Sequence, residues 1–170
     1  MSRQPFEETV LPHLDAAFNY ARWLTRNDAE AEDVVQDACV RAMRFAASLR
    51  GDDARSWLFA IVRNTWYSRA RGSLRTIAPL DAAGGEPADE ALDPEEQLLQ
   101  QQTVSRVRAA VESLPADFRE VIVLRELEGL SYKEIAAVVD VPIGTVMSRL
   151  ARARERLLAV LEAPRREVMP

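Results

Sequence analysis

LSYKEIAAVVDVPIGTVMSRLARARERL, residues 130–157, is the stretch whose reading decides the fold of this chain. Ser131 and Glu134 have the spacing of a capping box, in which a hydroxyl and a carboxylate satisfy the free backbone donors at a helix start. Ile135, Ala136, Val138 and Val139 give the short helix that follows an apolar face. Asp140–Val141–Pro142 ends it, because proline lacks a donor and restricts the residue before it. The same proline suits the first turn of a new helix. That second helix carries Ile143, Val146, Leu150, Ala153 and Leu157 in steps of three and four, a narrow stripe for docking. Thr145, Ser148, Arg152 and Arg156 fall on the opposite face, with Arg149 at its shoulder. A short helix, a tight turn and a longer helix with an arginine-rich outer face form a helix-turn-helix suited to a major groove. An ordinary helical hairpin with a solvated basic face is the alternative.

The net charge of −5 looks wrong for a nucleic-acid binder until it is divided along the chain. Residues 41–76 hold eight arginines against Asp52 and Asp53, and residues 142–160 hold four arginines against Glu155. Between them, residues 81–96 hold seven acids and no base. Such block asymmetry matters more than the total, since basic blocks can meet phosphate while an acidic block keeps away from it.

The same acidic stretch, with Gly84–Gly85 and Pro87, lacks aromatic residues and cannot bury enough surface to order itself. It predicts a flexible linker over 76–94. Before it, Phe6, Val10, Leu14, Ala17, Ala21 and Leu24 mark a first helix that Pro12 kinks or delays. A second helix spans about 28–47, with Val34, Val35, Ala38, Cys39, Ala42, Met43 and Ala46 on one face. A third spans about 54–71, with Trp57, Leu58, Ile61, Val62 and Thr65 inward. After the linker come helices near 95–113, 116–128, 131–139 and 142–161, broken at Leu114–Pro115 and Gly129. No strand alternation appears. The predicted fold is all-α: two small helical domains, 1–75 and 95–163, on a flexible acidic tether.

Single Cys39 and single His13 supply neither a disulfide nor a zinc-type ligand cluster, which suits the cytoplasm and points to no metal. No apolar run approaches the ~20 residues of a membrane span, so no membrane insertion is expected. The N-terminal residues lack the apolar core of a secretion signal. No phosphate-cradling glycine loop or nucleophile arrangement is evident, so neither an enzyme nor a cofactor is expected.

The polar faces of the N-terminal helices carry the remaining chemistry. On the second helix, Asp33, Gln36, Asp37, Val40, Arg41 and Arg44 form a stripe that is acidic at its N-terminal end. The acids also suit the positive end of the helix dipole, so a merely solvated face stays open as a reading. On the third helix the outward stripe is Ala60, Arg63, Asn64, Tyr67 and Arg71, with Phe59 and Trp66 at its edges. Cations interleaved with aromatics beside an amide suit single-stranded nucleic acid through phosphate attraction, stacking and base-edge hydrogen bonds.

AEDVVQDACVRAMR followed by ARSWLFAIVRNTWYSRAR resembles region two of the bacterial sigma-70 family, in its extracytoplasmic-function group. LPADFREVIVLRELEGLSYKEIAAVVDVPIGTVMSRLARARERL resembles region four. The resemblance spans residues 8–160, and both regions in this order are specific to that family. It implies an alternative sigma factor in the cytoplasm, nucleoid-associated within holoenzyme. Its implied partners are core RNA polymerase, promoter DNA and a separate anti-sigma factor. Asp33, Gln36, Asp37, Val40 and Arg41 correspond to the contact with the clamp helices of the largest polymerase subunit, and region four lies near the flap. Leu49, Arg50, Gly51 and Asp52 correspond to the loop that captures a flipped −10 base, and Asn64 to the asparagine that helps the capture; Arg63, Tyr67 and Arg71 of the same outward stripe are expected to join the −10 contact. Tyr132, Lys133, Thr145, Ser148, Arg149 and Arg152 correspond to the −35 contact. The linker acids would mimic a nascent transcript near the RNA exit path.

Two positions depart from the pattern: Cys39 stands where phenylalanine is frequent, and Met147 where lysine or arginine is. A conventional helix-turn-helix regulator, with residues 1–75 for dimerisation or sensing, is the competing reading. The acidic stripe and the arginine–aromatic stripe weigh against it.

Overall fold

The computed structural model describes residues 3–49, 53–72 and 93–163, and every regular element among them is a helix. Arg50–Gly51–Asp52 and residues 76–92 of the expected linker lie outside the described residues. Helix α1 (Arg3–Val10) passes into a single 3-10 turn, Leu11–His13, and then into α2 (Leu14–Thr25). Pro12 therefore interrupts the first helical pattern, because it cannot donate to the preceding turn. Arg26 ends α2 in the left-handed region at φ 60°. Asn27 opens α3 (Asp28–Arg44), its Oδ1 accepting the Glu30 N–H at 2.9 Å. Helix α4 runs Ala54–Gly72.

Helix α5 (Pro94–Glu112) starts with proline in its first turn, where the missing donor costs nothing. Helix α6 (Ala116–Ile122) continues into one wider turn, Val123–Leu127, where the Glu128 N–H donates to the Val123 carbonyl at 3.1 Å. Gly129 then takes φ 67°, a left-handed value that glycine adopts without steric cost. Helix α7 (Tyr132–Val139) and α8 (Ile143–Glu162) complete the described elements. The capping box is present in both directions. Ser131 Oγ accepts the Glu134 N–H at 3.1 Å, and the Ser131 N–H donates to Glu134 Oε1 at 3.0 Å.

Ala17, Tyr20, Ala21 and Leu24 of α2 meet Ala31, Val34, Ala38 and Ala42 of α3 and Leu58, Phe59 and Val62 of α4. In the C-terminal half, Val121–Leu124, Leu130, Ile135, Val138, Val139, Val146, Leu150 and Ala153 are buried. These two groups form one continuous core. Helix α4 packs on α7, and α2 on α6, so the halves are joined by more than the chain between them. The relative placement of the halves is invisible to helical periodicity, which reports only that a face is buried.

Three expected orientations are corrected. Met43 is 58% exposed, because the core face of α3 is the narrow series 31, 34, 38, 42 and Met43 sits one position round from it. Phe59 is fully buried instead of edging a polar stripe; its ring lies 5.3 Å from that of Tyr20. Ile143 is exposed, since the docking stripe of α8 begins one turn later at Val146. No described helix is long and apolar enough to cross a membrane, and the described residues hold no metal-ligand group of three.

Removing the cap at the start of α7 should be felt by the whole helix-turn-helix. Ser131→Ala is expected to lower stability by about 1 kcal/mol in urea denaturation. The hydrogen bond from the Ser131 backbone holds the Glu134 carboxyl below the usual carboxylate range. That contribution is complete above about pH 4.3 and fades as pH falls through the depressed value, so acid should narrow the difference between wild type and Glu134→Gln. A difference that is flat with pH would contradict this account of the cap.

Candidate nucleic-acid and partner surfaces

The turn between α7 and α8 aims the first two turns of α8 outward. Asp140 takes φ 56°, and Pro142 caps α8 in extended conformation. With Val146, Leu150 and Ala153 buried, helical geometry leaves Thr145, Ser148, Arg149 and Arg152 on the other side. These four line one open groove with Asp117, Phe118, Pro142 and Gly144. Met147 stands beside them, half exposed. Lys133 is exposed on α7. Tyr132 is half-buried and carries the Arg125 guanidinium 4.7 Å above its ring, so it takes part in packing as well as in the surface. Arg156 is exposed on the face opposite the docking stripe, with its guanidinium over the Phe118 ring at 5.0 Å.

The acidic stripe of α3 is exposed as its spacing requires, but it is not bare. Arg69 of α4 donates to Asp37 Oδ2 at 2.5 Å and lies 4.0 Å from Asp33. Both acids remain more than half exposed, so the pairing is screened and adds little stability. Val40 is exposed and Arg41 half-buried on the same helix. Met43 and Phe45 extend the surface with apolar area that a search for polar stripes misses. Cys39 is half-buried, and burial raises its thiol pKa.

The arginine–aromatic stripe of α4 is divided by the fold. Asn64 and Arg71 are exposed, and Leu49 is half-buried. The Trp66 and Tyr67 rings meet edge to face at 4.7 Å, and the Arg63 guanidinium lies 4.5 Å from the centre of the Tyr67 ring. Arg63 also forms an ion pair with Glu120 of α6, in the other half of the molecule. Its side chain is 16% exposed and that of Glu120 is 1% exposed. The Tyr20 hydroxyl donates to the same carboxylate at 2.9 Å. Burial opposes the charge on Arg63, but the hydrogen bond and charge of Glu120 outweigh it and raise the guanidinium pKa. Burial, and then the charge of Glu120, raises the Tyr67 phenol. Arg119, next to Glu120, is held below its usual value by burial and by the nearby charge of Arg26. No motif singles out Glu120. The available signal was a glutamate directly before the apolar run Val121–Leu124, where a buried charge needs a partner.

Comparison with known proteins places both halves. A family profile described as Sigma-70 region 2 matches residues 9–76, and one described as Sigma-70, region 4 matches residues 105–157. The chain is 42% identical over 137 residues to the ECF RNA polymerase sigma-E factor of Escherichia coli, covering 75% of this chain and 72% of that protein. It is 39% identical to the RNA polymerase sigma-H factor of Pseudomonas aeruginosa, covering 97% and 90%. Among solved structures it resembles the sigma factor RpoE of Bartonella quintana in complex with the anti-sigma factor NepR. There the TM-score is 0.72 with 31% identity, over 95% of this chain and 99% of that one. It also resembles CnrH in complex with the cytosolic domain of CnrY, at a TM-score of 0.67 and 28% identity, over 95% and 90%.

The contact between the halves has a titration signature. Burial, and then the charge of Glu120, holds the Tyr20 phenol well above its ordinary value. A raised phenol pKa means that the fold favours the neutral form. Its stabilisation is complete below about pH 10 and is lost as pH rises toward the raised value. Absorbance titration of tyrosinate should therefore show a last step that coincides with loss of the folded signal and is missing in Tyr20→Phe. A Tyr20→Phe variant that kept that step would contradict the assignment.

Proposed function

The chain belongs to the extracytoplasmic-function group of the sigma-70 family, and on that premise we propose how its surfaces divide the work of promoter recognition. The protein is an alternative sigma factor: it binds core RNA polymerase, directs it to promoters through −10 and −35 elements, and promotes melting. It contributes specificity and no catalysis of its own. Residues 1–75 serve as the region-two domain, 76–94 as the linker and 95–163 as the region-four domain. The work is done in the cytoplasm, under the control of a separate anti-sigma protein. Support for that partner comes from the Bartonella quintana sigma factor, of similar fold, solved in complex with an anti-sigma factor.

The observation that carries the reading is the groove at the start of α8, where Thr145, Ser148, Arg149 and Arg152 converge while the opposite face is buried. A recognition helix needs a rigid apolar seat and a polar face of this kind. In this reading those four residues, with Tyr132 and Lys133, meet the −35 element. Leu49 to Asp52, Arg63, Asn64, Tyr67 and Arg71 meet the −10 element, where unpaired bases are trapped against amide and aromatic groups. Melting is then driven by binding energy recovered from extruded bases. Asp33, Gln36, Asp37, Val40 and Arg41 dock on the clamp helices of the largest polymerase subunit.

Transcription from a promoter library by core polymerase, with and without the protein, tests the reading as a whole. Arg149→Ala or Arg152→Ala should lose −35-dependent transcription, since a well-placed bidentate base contact supplies about 1–3 kcal/mol of discrimination. Met147→Arg should tighten binding and steepen its salt dependence by about one phosphate contact. Unchanged −35 selection in both alanine variants would remove the recognition-helix assignment.

The docking assignment has its own test. Asp33→Lys with Asp37→Lys should weaken binding to core polymerase at least tenfold, a rough estimate for reversed charges at a complementary interface, while urea stability moves little. The substitutions also repel Arg69 where they formerly attracted it. Unchanged affinity for core polymerase in the folded double variant would reject the contact.

A further inference from the structure

Arg63, Tyr20 and Glu120 meet where the two halves of the molecule touch. Arg63 and Tyr20 come from α4 and α2, and Glu120 comes from α6. A guanidinium pairs with a carboxylate through the same fork of donors that it uses for a phosphate. Glu120 takes both arms of that fork: Arg63 Nε donates to Oε1, and Nη2 reaches Oε2 at 3.4 Å. Tyr20 fixes the carboxylate from a third direction at 2.9 Å. The paired guanidinium covers the Tyr67 ring, so the aromatic face next to it is occupied as well.

We propose that Glu120 is an internal competitor for nucleic acid: in the closed arrangement its carboxylate stands where a strand phosphate would sit on Arg63, and it ties region four over that part of the −10 surface. Free protein then offers Asn64 and Arg71 but withholds Arg63 and Tyr67 until the halves separate. This deepens the function proposed above and rests on its assignment of Arg63 and Tyr67 to the unpaired −10 strand.

Removing one member of a buried pair leaves the other charge desolvated and alone, which disfavours the arrangement that buries it. Glu120→Gln keeps the shape and a hydrogen-bond acceptor for Tyr20 but leaves Arg63 without its counter-charge. The closed form should therefore open, exposing Arg63 to solvent. The like charges of Arg26 and Arg119 across the same contact push in the same direction.

The test uses the full chain and a fluorescein-labelled, mixed-sequence, 20-nucleotide single-stranded DNA at one fixed salt concentration. Anisotropy reads affinity, and small-angle scattering reads the radius of gyration. If the closed form outweighs the open one by about ten to one, shielding lowers apparent affinity about tenfold, and Glu120→Gln should recover that factor with a larger radius. Adding Arg63→Ala to Glu120→Gln removes the uncompensated charge together with the strand contact, so it should abolish the gain and bring the radius back toward that of the wild type. Tyr20→Phe, which removes one hydrogen bond and no charge, should give a smaller gain. It also serves as the deciding variant if circular dichroism shows that Glu120→Gln is unfolded, and no gain from it would then overturn the proposal. An unchanged radius in folded Glu120→Gln overturns the latch. A larger radius without tighter binding overturns the shielding and traces the failure to Arg63 not meeting nucleic acid. Promoter melting by holoenzyme carrying Arg63→Ala separates the cases: a melting defect there preserves the −10 assignment even where the latch has failed.

Discussion

Helix α4 has to serve two packing partners at once, and most of the molecule follows from that constraint. On one side it closes the bundle with α2 and α3 through Leu58 and Val62; along another it meets α7 of the helix-turn-helix. A helix packed on more than one side cannot keep a single clean apolar stripe. Leu58, Phe59, Val62 and Thr65 are all buried, which spreads the interior over a wide arc. Arg63 and Tyr67 are left at the seam between the halves, half-buried in place of standing in water. The surface proposed to meet nucleic acid and the surface that joins the halves therefore share residues.

That sharing explains what could and could not be read from the chain. Helix limits were legible because their causes are local. Pro12, Ser131 with Glu134, Gly129 and Pro142 each act within one turn of themselves, and each sits at an observed boundary. The outward face of α8 from Val146 onward was legible because the buried seat of a helix follows from periodicity alone. Arg69 over Asp33 and Asp37, and Glu120 under Arg63, were not legible. They join residues 32 to 57 positions apart, and nothing in either neighbourhood announces the partner. Phe59 was misplaced for the same reason, since the ring that covers it belongs to Tyr20, 39 positions earlier.

The charge blocks take on a different meaning once the fold is known. Separation of basic and acidic stretches along the sequence suggested surfaces free to meet phosphate. In space, each basic surface also has an acid near it: Asp117 in the groove of α8, Glu120 beneath Arg63, Asp33 and Asp37 beside Arg69. Such internal counter-ions weaken indiscriminate attraction to polyanions, because a strand must displace them before it gains the arginine. The full attraction returns only for a ligand that brings enough further contacts to make the exchange favourable, which raises specificity at some expense of affinity.

The two ion pairs on α4 show how burial sets the consequence of such an exchange. Arg69 with Asp37 is exposed, worth no more than about 1 kcal/mol, and screened by salt, so a partner carrying a basic group can take over the acid at little cost. Arg63 with Glu120 is buried at the contact between halves. There the attraction and the loss of hydration nearly cancel while the pair is intact, yet removing one partner costs about 3–5 kcal/mol. An exposed pair can be exchanged one contact at a time. A buried one must be solvated as a unit, and Glu120 cannot leave Arg63 without α6 moving away from α2 and α4. Chemistry at a single carboxylate is in this way converted into the relative position of two helical bodies, which no surface ion pair could achieve.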